Sequence, residues 1–121
     1  MSSVPEKIRL YGIANCDQVR AARAWLKAHG KEAELIDLKA NGVDAPTLDR
    51  WLSRIPWDSL VNRRGMTWRS LDPLVRAKIV DQHSAVDLML SHPLVIKRPV
   101  LEFGEKMSVG FSAPLYESLF N

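Results

Sequence analysis

The one cysteine of this 121-residue chain, Cys16, occupies a position suited to nucleophilic chemistry. It lies between a strand-like segment that ends at Gly12 and a helical segment that begins at Asp17. The first turn of a helix has unpaired backbone N–H groups and the positive end of the helix dipole, which favour a thiolate over a thiol. A lone cysteine is more often a small buried side chain. The neighbours Asn15, Asp17 and Gln18 are polar and turn-forming, unlike the flanks of a core residue, and they favour the nucleophile.

No second group in the sequence completes a metal site or a hydrolase site. His29, His83 and His92 are widely separated, and none has the i, i+4 partner or the neighbouring cysteine that a metal site needs. We therefore expect surface or capping roles for the histidines, no metal and no tightly bound cofactor. A cysteine–histidine hydrolase would also need an orienting third group, which the sequence does not supply convincingly.

The composition is that of an ordinary globular protein with a modest positive charge. The formal net charge is +3, and the densest basic stretch, Arg63, Arg64 and Arg69, is short and adjoins a glycine instead of following a helix face. This distribution argues against nucleic acid as a partner. No apolar run approaches the length of a membrane span, and residues 1–7 lack the apolar core of a signal peptide. The expected location is the cytoplasm, which a single free thiol also favours.

The first forty residues predict the element order that would position Cys16. Apolar and polar residues alternate over residues 7–11 and predict a strand. Apolar residues recur at helical spacing over residues 17–29, and Gly30 marks the end of that helix. Residues 33–38 are again strand-like. The short connections favour a parallel pair of strands with a right-handed crossover.

The middle of the chain predicts helices. Asp44 can cap a helix that begins near Pro46. Residues 62–67 have the composition of a loop, and Trp68 next to them could anchor that loop or serve as a plain packing residue. Two further short helices are expected before His92.

The last third returns to strands, predicted at residues 94–96, 100–103 and 107–109, with a terminal helix capped by Ser112. We therefore predict an α/β fold of the α+β sandwich type, in which a βαβ unit and a ββα unit are separated by helices. No linker or repeat divides the chain, so residues 1–121 are expected to form one domain with a helical insert at about 44–92.

Three motifs carry a resemblance to a known family. They are Tyr-Gly-Ile-Ala-Asn-Cys-Asp at 11–17, Leu-Val-Asn-Arg-Arg-Gly-Met-Thr-Trp-Arg at 60–69, and Leu-Val-Ile-Lys-Arg-Pro-Val at 94–100. With the element order, they resemble the ArsC branch of the thioredoxin superfamily, in its subgroup related to YffB and Spx and most like YffB. The resemblance implies a thioredoxin-like fold.

The resemblance also implies roles for individual residues. Cys16 matches the family's attacking cysteine, and Arg98-Pro99 matches its Arg-Pro element, in which the proline is expected in cis. Arg98 would hold an anion near the thiolate, because a guanidinium stays charged and offers a fork of donors. A second family arginine falls within residues 62–64, and Arg64 is our choice. The implied substrate-binding or anion-binding residues are thus Arg98, Arg64, Pro99, Asn15 and Arg20.

The sequence departs from two kinds of family member. Arsenate reductases carry a third arginine after the Arg-Pro strand, and a histidine where Gly12 stands here. Residues 100–121 contain no arginine, so a three-arginine oxyanion clamp would be incomplete. Spx-type regulators commonly have a second cysteine where Val19 stands, so an internal redox switch is excluded.

These departures favour disulfide exchange with an external thiol. Without a resolving cysteine, any disulfide of Cys16 joins it to another molecule. The expected function is a glutathione-dependent thiol reductase or arsenate reductase-like oxidoreductase. Glutathione is the expected co-substrate, a small thiol or oxyanion the substrate and a glutaredoxin a second possible partner, and the expected state is a monomer. The alternative is an Spx-like binding protein without catalysis, which contacts a partner such as RNA polymerase.

Overall fold

The computed structural model describes residues 7–121, and these fall into two compact units. The sheet unit comprises the described residues up to Asp37 together with Arg98–Asn121, and the helical unit comprises Leu38–Lys97. The expected single domain with an insert at about 44–92 stays a prediction, and most of the segment considered for a signal peptide lies outside the described residues. No helix in the described part of the chain is long and apolar enough to cross a membrane.

The secondary structure alternates regular elements with short turns. In chain order the elements are β1 (Ile8–Gly12), α1 (Asp17–Ala28), β2 (Ala33–Asp37), α2 (Leu38–Asn41), α3 (Ala45–Leu52), α4 (Trp57–Leu60), α5 (Met66–Arg69), α6 (Pro73–Ala77), α7 (Gln82–Ser91), a 3-10 turn (Pro93–Val95), β3 (Val100–Phe103), β4 (Lys106–Val109) and α8 (Ala113–Leu119).

The sheet unit contains a mixed four-stranded sheet. The strand order is β2-β1-β3-β4, with β1 parallel to β2 and antiparallel to β3, and β3 antiparallel to β4. The register places Tyr11 opposite Ile36 on one side and opposite Val100 on the other. The predicted βαβ and ββα units are therefore confirmed, and β2 ends at Asp37, one residue before the predicted end of that strand.

The core of the sheet unit explains why β1 and α1 form. Leu10 and Leu101 are paired across β1 and β3 and are fully buried. The predicted apolar stripe of α1 packs against the sheet through Val19, Ala22 and Leu26. Burial of such side chains stabilises an amphipathic helix more than helix propensity does.

The helical unit has its own core and a cap on each longer helix. Leu48 and Trp51 of α3 are fully buried. The side chain of Asp44 accepts a hydrogen bond from the Thr47 N–H at 2.9 Å, which confirms it as the cap of α3. Asp81 forms a reciprocal capping box with Ser84 at the start of α7.

The predicted strand at residues 94–96 is wrong. Pro93 has no N–H and a fixed φ, which suits the first position of a helical turn, and the Val95 N–H donates to His92 O at 2.9 Å. Only Ile96 forms a bridge, to Val61. The loop predicted at residues 62–67 is shorter than expected, because α5 begins at Met66. The short helices α2 and α4 were not predicted.

Candidate active site around Cys16

Cys16 is the N-cap residue of α1, as the sequence predicts. Its backbone is extended, with φ −139° and ψ 128°, and its carbonyl accepts the Arg20 N–H at 2.9 Å as the first bond of the helix. The residue is half-buried and packs against the apolar cluster of the sheet unit. Among the described residues, its side chain makes no capping hydrogen bond. The sulfur therefore lies at a helix N-terminus with part of the residue open to solvent.

The turn around Cys16 is held by Arg20, which reaches back along the first turn of α1. Its guanidinium donates to Asn15 Oδ1 at 3.1 Å and forms an ion pair with the Asp17 carboxylate. The structure thus brings together three of the predicted site residues, Asn15, Cys16 and Arg20. Because Asp17 partly balances its charge, Arg20 acts here chiefly by fixing the residues on either side of the cysteine.

The strand register brings Arg98-Pro99 to the same end of the central strands as Cys16. Tyr11, near the end of β1, pairs with Val100 at the start of β3. Because β1 and β3 are antiparallel, the end of β1 lies beside the start of β3. The segment that leads from β1 to Cys16 therefore begins at the same end of the sheet at which Arg98-Pro99 leads into β3. The peptide bond between Arg98 and Pro99 is cis, as predicted. Pro99 is buried, its carbonyl accepts the Gly110 N–H at 2.8 Å, and Arg98 is half-buried.

Arg64 lies in the helical unit, on a turn organised by Asn62. The Asn62 side-chain oxygen accepts the Arg64 N–H at 3.1 Å, and the Asn62 N–H donates to Val95 O at 2.8 Å. The guanidinium of Arg69 donates to Arg64 O at 2.6 Å. These bonds fix the backbone of Arg64 and leave its side chain exposed.

Arg63 has a different environment from Arg64. Its guanidinium carbon lies 5.4 Å from the ring centre of Trp57 and 5.9 Å from that of Trp68. Two cation–π contacts hold Arg63 against its own unit, so Trp68 does contact the arginine-rich turn. Sequence reasoning missed this cluster, although two tryptophans within six residues of an arginine were its visible signal. Of the two arginines, Arg64 remains the candidate for holding an anion.

The histidines have the surface and capping positions that the sequence predicts. His29 caps the C-terminus of α1 and stacks on Trp25 at 3.7 Å, and His92 caps the C-terminus of α7. His83 is exposed and lies 3.6 Å from Asp87. Within residues 7–121, no group of three histidine, cysteine, aspartate or glutamate side chains could hold a metal ion.

Gly12 is fixed by the packing of α1 on β1. A Cβ atom on this residue would lie 2.6 Å from Val19 Cγ2, closer than any stable contact. Val19 is fully buried, and a β-branched side chain in a helix has one strongly preferred rotamer, so it cannot turn aside cheaply. The position four residues before Cys16 therefore has no room for a side chain, a histidine included.

Comparisons with known proteins agree with this architecture. A solved structure of a protein named YffB has a TM-score of 0.87 and 41% identity, covering 93% of this chain and 97% of that one. The solution structure of an arsenate reductase (ArsC) related protein from Brucella melitensis has a TM-score of 0.73 and 45% identity, covering 100% and 98%. The global transcriptional regulator Spx 2 of Bacillus cereus is 23% identical over 105 residues, which are 85% of this chain and 79% of the regulator.

The matches confirm the predicted thioredoxin-like fold and its YffB-related and Spx-related subgroup. The family comparison spans nearly the whole chain, because a sequence model of the ArsC family matches residues 11–119. This chain therefore belongs to the ArsC family.

Proposed function

We propose that the chain is a glutathione-dependent thiol–disulfide oxidoreductase with Cys16 as its nucleophile. The observation that carries the proposal is the position of the only cysteine, half-buried at the N-terminus of a 12-residue helix. A helix N-terminus stabilises a thiolate, and the thiolate is the form that attacks a disulfide. Membership of the ArsC family, whose members use a cysteine in this position, supports the same chemistry.

The reaction needs only one protein sulfur. The Cys16 thiolate attacks the glutathione sulfur of a mixed disulfide R–S–S–G, the S–S bond breaks, and R–S⁻ leaves and takes up a proton. Cys16 is then joined to glutathione through a new disulfide. A second glutathione thiolate attacks that glutathione sulfur, which releases oxidised glutathione and restores the Cys16 thiolate. The net change is reduction of R–S–S–G to R–SH by one glutathione thiol, with oxidised glutathione as the second product.

The polar residues around Cys16 have separate tasks in this proposal. Asn15 and Arg20 hold the turn that carries the cysteine, through the hydrogen bond between them. Arg98 precedes β3 at the end of the sheet that also carries the Cys16 turn, and it binds a carboxylate of glutathione. The cis proline Pro99 fixes the backbone next to Arg98. Arg64, whose side chain is exposed on the helical unit, is proposed as a further anion-binding residue.

The test is turnover of a small glutathione mixed disulfide, followed by the appearance of oxidised glutathione. Cys16→Ser should have no measurable turnover while its circular dichroism spectrum is unchanged. Arg98→Ala should raise the KM for glutathione roughly tenfold, the loss expected for a charge-assisted hydrogen bond. Arg54→Ala, which removes an exposed arginine of the helical unit, is the matched control and should behave like the wild type. Turnover that survives in Cys16→Ser would rule out the mechanism.

Two further assays separate this function from the alternatives. Arsenate should be a poor substrate, because residues 100–121 supply no third arginine. A glutaredoxin added to the assay tests whether it accelerates release of the mixed disulfide.

The second candidate function is a regulator without catalysis that contacts a partner such as RNA polymerase, and the Bacillus cereus relative is named a global transcriptional regulator. That function predicts a Cys16 that is alkylated slowly at neutral pH and no turnover at all. We further propose that the protein is a monomer, which size-exclusion chromatography with light scattering can test, and that it lies in the cytoplasm, which cell fractionation can test.

A further inference from the structure

A basic groove lies on the sheet unit, away from the Cys16 end of α1. It has a volume of about 310 Å³ and is lined by Arg23, Ala24, Leu26, Lys27, Lys31 and Ala33. Three of the six lining residues are cations and none is an acid. Among residues 7–121, neither Arg23 nor Lys27 forms an ion pair with a carboxylate. Glu32 and Glu34 line the neighbouring depression beside Lys31, so the excess of positive charge lies at Arg23 and Lys27, and such an excess attracts an anionic ligand.

The cations form a row because of how α1 ends. Arg23 and Lys27 are one helical turn apart, and Gly30, with φ +69°, turns the chain at the end of the helix. This turn lets the Lys31 N–H donate to Leu26 O at 2.9 Å, which returns Lys31 to the side of the helix. The ammonium of Lys31 lies 4.7 Å from the ring centre of Phe120 and is therefore held in place.

The groove adjoins an unpaired strand edge. Its lining includes Ala33, the first residue of β2, and β2 lies at the edge of the sheet. Among the described strands, β2 pairs with β1 alone, so along residues 33–36 its outer edge presents backbone N–H and C=O groups. An extended segment of another protein can add to such an edge by main-chain hydrogen bonds.

The spacing of the cations matches that of an extended peptide. Side chains four residues apart on a helix are separated by roughly 6 Å along its axis. Alternate side chains on one face of a strand are separated by roughly 6.6 Å. Carboxylates at alternate positions of an added strand would therefore match the spacing of Arg23 and Lys27, and Lys31 lies beyond Lys27 among the lining residues of the groove.

We infer that the basic groove and the free edge of β2 together bind an extended acidic segment of a partner protein, with carboxylates at alternate positions. The argument uses charge complementarity and the open strand edge, and it is independent of the chemistry at Cys16. Backbone pairing supplies the orientation of the segment, and the three cations supply the preference for acidic side chains.

The experiment measures binding of a fluorescein-labelled peptide in which glutamate alternates with threonine. Fluorescence anisotropy gives its affinity for the wild type and for two double variants that each remove two positive charges. Arg23→Gln with Lys27→Gln should bind roughly fivefold more weakly, as expected for the loss of two exposed ion pairs. Arg54→Gln with Lys78→Gln removes exposed cations of the helical unit and should bind like the wild type. Equal affinity of the two double variants would overturn the inference.

Two controls on the ligand keep the test independent of protein folding. A peptide methylated at alternate backbone nitrogens, on the edge that would face β2, should bind at least several-fold more weakly. In ¹⁵N spectra of the wild type, the unmethylated peptide should shift the amide signals of residues 33–37. Binding of the methylated peptide with full affinity, or tighter binding of a single-stranded oligonucleotide of equal charge, would contradict recognition of a peptide strand.

Discussion

The sheet unit and the helical unit hold their candidate residues in place by different means. In the sheet unit, pairing between strands distant in sequence decides which segments meet, as when Tyr11 opposite Val100 brings the Cys16 turn and Arg98 to one end of the sheet. In the helical unit, the backbone of Arg64 is held by a hydrogen bond to the side chain of Asn62, whose own N–H donates to Val95 O. Within residues 7–121, the large apolar side chains that remain exposed belong to the helical unit: Met66, Leu74, Val75, Val80 and Leu90. The sheet unit should therefore be sensitive to packing changes and the helical unit to changes in local contacts.

The largest expected effect is that of Gly12→Ala in the sheet unit. The added Cβ would collide with Val19, a fully buried side chain that has little freedom to move. We expect the free energy of unfolding to fall by about 1–3 kcal/mol, as for other overpacked core positions. Urea denaturation followed by circular dichroism measures the change.

A double variant shows whether the collision causes that loss. Val19→Ala alone leaves a cavity and is itself destabilising. Combined with Gly12→Ala, it removes the γ-methyl group that collides. The double variant should therefore lose less free energy of unfolding than the sum of the losses in the two single variants. Strict additivity of the two substitutions would show that Gly12→Ala acts through something other than contact with Val19.

The sheet unit was predicted well because its sequence signals agree with its packing. Alternation in residues 7–11 and helical spacing in residues 17–29 both arise from burial against one core. The structure buries Val19, Ala22 and Leu26 of the predicted stripe, and Ala28 at its end is exposed. Cys16 could be placed from its position between a strand and a helix alone. The basic groove was missed because Arg23, Lys27 and Lys31 are ordinary solvent-facing residues in a sequence. Their grouping depends on the turn at Gly30 and on the proximity of β2.

The helical unit was predicted less well because its local signals compete. Residues 94–96 are apolar and two of them, Val95 and Ile96, are β-branched, which favours a strand. Pro93 and the hydrogen bond from the Val95 N–H to His92 O form a helical turn instead. Exposed apolar residues such as Leu74 and Val80 also weaken the periodicity that would reveal short helices. Arg63 and Arg64 are both exposed, and only Arg63 has its guanidinium near two tryptophan rings, which spacing alone does not disclose.

A smaller effect is expected from Arg63→Ala in the helical unit. This substitution removes contacts with both Trp57 and Trp68, and exposed cation–π contacts contribute about 0.5–1 kcal/mol each. We expect a loss of about 1 kcal/mol in the free energy of unfolding, with a change in tryptophan fluorescence of the folded state. Arg64→Ala is the matched control, and it should leave stability unchanged while lowering the proposed activity. Equal loss of stability in the two variants would remove the distinction between them.

The smallest expected effects are changes in stability with pH, which should occur in acid for the helical unit and in alkali for the sheet unit. Hydrogen bonds from the Thr47 side chain and backbone hold the pKa of Asp44 below its usual 3.8. Those from the Ser84 backbone and side chain do the same for the pKa of Asp81. A lowered pKa in the folded state means that the stabilisation is present above the unfolded value and is lost as the pH falls through the folded value. The urea midpoint should thus decline below about pH 4.

In the sheet unit, the pKa of Tyr116 is shifted upward, so stability is lost as the pH rises. Its hydroxyl is fully buried with no hydrogen-bond partner among residues 7–121, and burial raises its pKa above the usual 10.0. The unfolded phenol ionises first as the pH rises, so stability is complete below pH 10 and is lost above it until the folded phenol also ionises.

Three variants assign these two losses to their groups. Asp44→Asn with Asp81→Asn keeps good capping residues but removes the titration, so the acid decline should become shallower while the alkaline decline is unchanged. Tyr116→Phe should do the opposite, and it should not lower stability at neutral pH, because it deletes a buried hydroxyl that has no partner in the described chain. Ser118→Ala, an exposed substitution in α8 that keeps Tyr116, is the control and should retain both declines. An alkaline decline that persists in Tyr116→Phe would mean that the sheet unit is titrated through a different group.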